Sequence, residues 1–181
     1  MWPRLSAFIL KVLGYSIKGD YPRDLKKLVV IAAPHTSYWD FPFGLLIRSS
    51  CGINVKYVGK ASLFKPPLGW FMKRWGGVPV DRSKSNNFVD SVIELFGEKE
   101  ELTILFAAEG TRKKVKKFKT GFYYIAKGAE VPILPIVFDF GKKEFRWLDL
   151  IYPTEDSEKD IEKIQNLFRG VKGWTPENSF S

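Results

Sequence analysis

The apolar positions of this chain fall into two rhythms, short strand-length runs and longer stretches with a helical period. Residues 27–33 (KLVVIAA), 102–107 (LTILFA) and 132–138 (PILPIVF) are nearly continuous apolar runs, the pattern of strands buried on both faces. Residues 54–58, 78–80 and 144–148 are shorter strand candidates. Helical spacing fills the intervals at 67–75, 86–96, 121–129 and 156–169, the last with Ile161, Ile164 and Phe168 on one face. Pro34 closes the first run because it cannot continue a hydrogen-bonded ladder. Pro42 is tolerated only in the first turn of a helix, so a helix is predicted from near Asp40 to about Ser50.

Residues 2–17 also read as a helix, with Leu5, Phe8, Ile9, Val12, Leu13 and Ser16 at helical spacing. Arg4, Lys11 and Lys18 fall seven apart and share a narrow cationic stripe. Such a basic, aromatic-tipped helix suits a membrane interface, and the same pattern suits a helix packed on the domain. Strands alternating with helices predict a single α/β domain with a mostly parallel central sheet flanked by helices. The chain divides into an amphipathic N-terminal helix over 1–18, the main domain over 19–170 and a loosely ordered tail over 171–181.

A length of 181 residues suits one well-buried domain, and 45% hydrophobic with 15% aromatic residues excludes a mostly disordered chain. The aromatics can fill a core or form an apolar surface that meets lipid. A net charge of +9 predicts attraction to anionic partners without choosing among phosphates, acidic proteins, nucleic acid and an anionic bilayer. The one cysteine, Cys51, permits no internal disulfide and reads as a packed small residue. There is no run of eighteen apolar residues and no clear leader, so the expected location is cytoplasmic.

Candidate chemistry gathers at two places. His35 is the only histidine, and Asp40 follows it five positions on. Within a regular helix residues five apart lie about 140° apart around the axis and do not face each other. A loop leading into a helix start can fold them together, which makes the Asp a partner that orients the base. Neither a G-x-S-x-G elbow nor a reactive cysteine block is present, so the base would act on a bound substrate hydroxyl that attacks an activated acyl group directly. A hydrogen-bonded histidine at a helix entry is the structural alternative.

The second place is Glu109-Gly110-Thr111-Arg112, directly after a predicted strand. Glycine permits a tight turn, and arginine offers a planar fork for phosphate or carboxylate. Arg82 and Lys60, at other strand ends, are further cations that could reach the same pocket. Lys113, Lys114, Lys116, Lys117 and Lys119 form a basic cluster, either a solvated loop or an attractor of an anionic substrate or membrane.

Together, His35 to Asp40, Gly77 to Arg82 (GVPVDR), Glu109 to Arg112 and residues 131–135 (VPILP) resemble the ordered motif blocks of the glycerolipid acyltransferases, including the lysophosphatidate (1-acylglycerol-3-phosphate) acyltransferases. The matched stretch covers about residues 27–138. Pro34 stands where the family often has Asn, and Ala108 where it usually has Pro.

The resemblance implies that fold and an O-acyltransferase activity. His35 would be the general base and Asp40 its partner. Glu109, Gly110, Thr111 and Arg112, with Arg82 and Lys60, would bind the acceptor, and residues 131–135 would help form the acyl pocket. The implied donor is acyl-CoA or an acyl-acyl-carrier-protein, the acceptor a lysophospholipid-like hydroxyl, and no metal or bound cofactor is needed. A peripheral place at the inner face of the membrane follows. A noncatalytic phospholipid-binding protein of the same fold is the rival reading. No nucleic-acid partner is expected, because helix-turn-helix, zinc and RNP patterns are missing.

Overall fold

The computed structural model describes residues 2–80 and 85–181. Seven described strands form one sheet: β1 (Ser16–Lys18), β2 (Lys27–Ala33), β3 (Val55–Lys60), β4 (Gly77–Val80), β5 (Leu102–Ala107), β6 (Ile133–Asp139) and β7 (Glu144–Trp147). Their spatial order is β1-β7-β6-β2-β5-β3-β4. Every pairing is parallel except β6 with β7. The helices are α1 (Pro3–Val12), α2 (Asp40–Ser50), α3 (Leu68–Arg74), α4 (Ser85–Glu98), α5 (Gly121–Gly128) and α6 (Ser157–Asn166). This is the expected α/β sheet flanked by helices.

Strand β2 explains why the apolar run at 27–33 does not alternate. Val29, Ile31 and Ala33 face one layer, with Val92 and Phe96 of α4, Phe122 and Ile125 of α5, and Ile164 of α6. Leu28, Val30 and Ala32 face the other, with Leu10 of α1, Phe43 and Ile47 of α2, and Phe138 and Phe145 of the sheet. Successive side chains of a strand point to opposite faces, so a strand covered on both sides must be apolar throughout. The free Cys51 is half-buried against the second layer, as a small packing residue.

The topology places the chemistry. β2 lies between β5 and β6, with Ala32 opposite Ala107 on one side and Ile136 on the other. The chain leaves β2 through α2, which packs in one layer, and leaves β5 toward α5, which packs in the opposite layer. Neighbouring strands whose connections depart on opposite faces leave a crevice between them at their carboxyl ends. His35 and Glu109 each lie two residues beyond the end of their strand, at that edge.

Two segments differ from the expectation. The first helix stops at Val12, because Gly14 turns the backbone left-handed at φ +81°. Residues 16–18 then form β1, parallel to β7 with Lys18 opposite Arg146, and the Lys18 ammonium makes an ion pair with the Glu144 carboxylate. Lys18 and Arg146 together hold the Glu144 carboxyl below its ordinary pKa. Where the sequence predicts a loosely ordered tail, residues 171–181 pack against the domain. Val171 and Phe180 are buried, the Phe140 amide donates to the Lys172 carbonyl at 2.9 Å, and the Gly173 amide donates to Ser179 Oγ at 2.9 Å.

Phe180 lies with its ring 4.4 Å from that of Phe118 and is 1% exposed. Phe180→Ala is expected to lower unfolding free energy by about 3–5 kcal/mol in urea titrations. A change within about 0.5 kcal/mol, typical of surface positions, would return the tail to a loose appendage.

Candidate active site

Asp40 opens α2, and its carboxylate reaches back over the loop that leaves β2. Oδ2 accepts the backbone amides of Thr36 and Ser37, each at 2.9 Å, and lies 2.8 Å from His35 Nδ1. The turn thus brings together two side chains that a continuous helix would hold apart. Asp40 is 5% exposed and His35 24% exposed, so the partner is shut in while the imidazole keeps an open edge. A carboxylate can only accept, so it fixes the proton on Nδ1 and leaves the lone pair on Nε2. Its place in the first turn of α2 adds favourable interaction with the helix dipole.

Glu109 meets the same loop from β5. Its Oε1 accepts the His35 backbone amide at 3.0 Å, and the Ala108 amide donates to the Ala32 carbonyl at 3.1 Å. The Glu109 carboxyl is buried, and that burial raises its pKa above 4.5 against the opposing pull of the His35 amide. Oε2 of Glu109 and Oδ1 of Asp40 are buried without a hydrogen-bond partner among the described residues.

Gly110 carries the chain out of the site at φ +67°. A Cβ there would come 2.9 Å from Lys119 Cγ, and the left-handed backbone itself disfavours any side chain. Thr111 Oγ1 accepts the Lys113 amide at 3.3 Å, which tightens the turn. Arg112 is exposed, and its guanidinium carbon lies 3.9 Å from the centre of the Tyr38 ring. Beyond it Lys113, Lys114, Lys116, Lys117 and Lys119 are all exposed, while Phe118 is buried and its amide donates to Gln165 Oε1 at 2.9 Å. The loop is therefore anchored by its aromatic residue and presents its lysines to solvent.

The structure brings His35, Asp40, Glu109, Gly110, Thr111 and Arg112 to one edge. Lys60 ends β3, beyond β5 from His35, and its backbone pairs with Val80. Arg82 lies outside the described residues. Residues 131–135 are buried, and Ile133 pairs with Val29, four residues before the β2 end and about 13 Å from it at the usual strand rise. They belong to the start of β6 and build the sheet. Among the described residues, no group of three or more His, Cys, Asp or Glu could hold a metal ion.

Sequence reasoning missed Thr36, Tyr38, Trp174 and Thr175. The Thr175 amide donates to Thr36 Oγ1 at 3.1 Å, and a Cβ on Gly173 would come 2.4 Å from that same oxygen. The Trp174 ring lies 5.5 Å from Trp39 and 5.4 Å from Phe140. The tail thus straps the loop between β2 and α2 from outside. An open cleft of about 290 Å³, lined by Tyr15, Phe140, Lys172 and Trp174 among others, adjoins the strap. No local motif marks these residues, since the strap and the loop lie 139 positions apart.

The family model described as Acyltransferase matches residues 16–139. Over 184 residues the chain is 33% identical to an uncharacterized acyltransferase of Schizosaccharomyces pombe, covering 86% of this chain and 62% of that protein. It is 30% identical over 135 residues to the 1-acyl-sn-glycerol-3-phosphate acyltransferase of Saccharomyces cerevisiae, covering 70% and 44%. It is 32% identical over 127 residues to the human 1-acyl-sn-glycerol-3-phosphate acyltransferase beta, covering 65% and 44%. The chain therefore spans between 44% and 62% of the length of these curated relatives. The crystal structure of the 1-acyl-sn-glycerophosphate acyltransferase PlsC from Thermotoga maritima shares the fold, with a TM-score of 0.63 at 20% identity, covering 90% of this chain and 74% of that one.

Burial of Glu109 makes a pH prediction. A carboxyl whose folded pKa is raised contributes stability that is fully present below its ordinary value of 4.5 and is lost as pH rises through the raised value. Glu109→Gln removes that loss. Urea unfolding between about pH 4 and about pH 8 should show the variant gaining on the wild type as pH rises. A difference that stays constant over the range would show that burial does not raise this carboxyl.

Proposed function

This chain belongs to the acyltransferase family, and on that premise we propose that it moves a fatty acyl group from a thioester to a lysophospholipid-like hydroxyl. The donor is acyl-CoA or an acyl-acyl-carrier-protein, and lysophosphatidate is a representative acceptor. The observation that carries this reading is the set of three bonds on Asp40 Oδ2, which leaves His35 Nε2 as an oriented base at an open edge.

In this mechanism Nε2 takes the proton of the acceptor hydroxyl as its oxygen attacks the thioester carbonyl. The C–O bond forms, the C–S bond breaks, and the imidazolium returns the proton to the departing thiolate. Asp40 stabilises the imidazolium between these steps. A positioned base contributes on the order of 10²–10⁴ in rate, and holding hydroxyl and thioester together removes roughly 7–11 kcal/mol of the barrier. Glu109 and Arg112 hold the acceptor's hydroxyl and phosphate groups, Gly110 and Thr111 shape that turn, and Arg82 and Lys60 supply further positive charge.

A noncatalytic phospholipid binder would need the cations but has no use for a buried aspartate that fixes a histidine tautomer. Incubating the purified protein with a lysolipid panel and each thioester, and reading new esters by mass spectrometry, separates the two. His35→Ala should abolish ester formation, since the chain has no second histidine. Asp40→Asn should lower the rate about 10²–10⁴-fold. Near-normal turnover by His35→Ala ends the mechanism.

The reading also places the protein against the inner, cytoplasmic face of a membrane. Among the described residues no helix is long and apolar enough to cross one. Trp2, Leu5, Phe8, Val12 and Leu13 are exposed on or beside α1, while Ser6 and Leu10 face the domain. Apolar area of this kind together with the lysines at 113–119 suits an anionic bilayer. Because residues 16–18 form a strand, point variants test this better than truncation. Leu5→Glu with Phe8→Glu should weaken co-sedimentation with phosphatidylglycerol-containing vesicles, and salt should weaken the wild type only in part. Undiminished binding by the double variant excludes α1 as the anchor.

A further inference from the structure

The contact between Arg112 and Tyr38 joins the two loops of the site, and acyl transfer as proposed does not by itself require it. Tyr38 is 79% exposed, an unusual situation for an aromatic side chain on a loop that is otherwise tied down. Its backbone is fixed from both sides. The Ser37 amide is held by Asp40, and the Trp39 amide donates to Ser37 Oγ at 3.2 Å. The backbone of Tyr38 therefore stands at a set offset from His35, three residues earlier in the chain.

Arg112 has no such restraint of its own. It follows the glycine turn, is exposed, and makes no ion pair among the described residues. A free arginine samples many rotamers, and binding an anion must then restrict them. Over the Tyr38 ring, 3.9 Å from its centre, the guanidinium is already restricted. A guanidinium that rests its face on a ring keeps the N–H groups at its edge available, and these form the fork that matches a phosphate.

We propose that Tyr38 is a positioning residue for an acceptor carrying a phosphomonoester: it holds Arg112 over the catalytic loop, so that the bound phosphate sets which hydroxyl reaches His35 Nε2. This rests on the acyl-transfer reading for its kinetic consequences, while the phosphate-binding part stands on the geometry alone. The ring face is what matters, and the phenol hydroxyl is not used. Substrates are then sorted by the distance between phosphate and hydroxyl.

The test uses Tyr38→Phe, Tyr38→Leu, Arg112→Ala and the Tyr38→Leu, Arg112→Ala double variant. Tyr38→Leu should raise the KM for a phosphorylated lysolipid by about 2- to 30-fold, the span from an exposed to a desolvated cation–π contact, with kcat and donor KM little changed. The same variant should leave the KM for an unphosphorylated acceptor in place. Tyr38→Phe should restore the wild-type acceptor KM, and Tyr38→Leu should add nothing once Arg112 is alanine. Equal losses with both acceptor types, additive losses in the double variant, or failure of phenylalanine to substitute would each overturn the proposal.

A second readout does not depend on turnover. The Arg112 Nε–H resonance should move when the ring is removed, and titration with glycerol 3-phosphate followed at that resonance should be weaker in Tyr38→Leu than in the wild type. Tyr38-dependent binding in a protein that forms no ester would defeat the acyl-transfer reading and leave the positioning role standing. Equal binding by the wild type and Tyr38→Leu would defeat the positioning role whatever the activity.

Discussion

A carboxylate taken out of water must be supplied with donors, and Asp40 finds its donors in the loop just upstream. Two amides and one imidazole N–H converge on a single oxygen, and that convergence sets the path of the chain from β2 into α2. Removing one donor would leave the others around a buried, under-bonded charge, which is far costlier than an ordinary lost hydrogen bond. Loop shape, histidine tautomer and helix start are therefore one arrangement. Glu109 extends it, since its contact with the loop is to the backbone amide of His35 itself.

The other half of the arrangement is a sheet whose central strand is covered on both faces. That coverage makes residues 27–33 and 102–107 legible as strands, and their observed bounds agree with the pattern. The helix over Asp40–Ser50 was legible for another reason, the restriction that Pro42 places on a helix start. The three residues of β1 were not, because Ile17 continues the helical spacing of the preceding segment and only the left-handed Gly14 breaks it. The tail was illegible for the opposite reason. Its burial rests on isolated residues, Val171 and Phe180, and isolated apolar residues have no period to read.

The site divides in the same way. His35, Asp40 and the Glu109–Arg112 turn declared themselves by residue type and order, and the structure adds that they share one sheet edge. Their contacts could not be read, because a buried carboxylate and an arginine on a ring depend on register between strands. The block at 131–135 was legible as a motif, and the pairing of Ile133 with Val29 adds its depth in the sheet. Among the described residues, Glu109 Oε2 and Asp40 Oδ1 are buried without a hydrogen-bond partner.

The strap formed by Trp174 and Thr175 bears on how the site comes into being. Thr36 and Thr175 are 139 residues apart, so at synthesis rates of about 5–20 residues per second the loop waits roughly 7–28 s for its outer restraint. During that interval β2 and the Asp40 turn can form, while the face of the loop that Trp174 covers is open to water and to other chains. The histidine and its aspartate are thus local partners early in the life of the polypeptide, and the wall around them is a late, long-range closure. Maturation of the site is coupled to completion of the domain, which delays the finished surface around His35 until the sheet that supports it has been built.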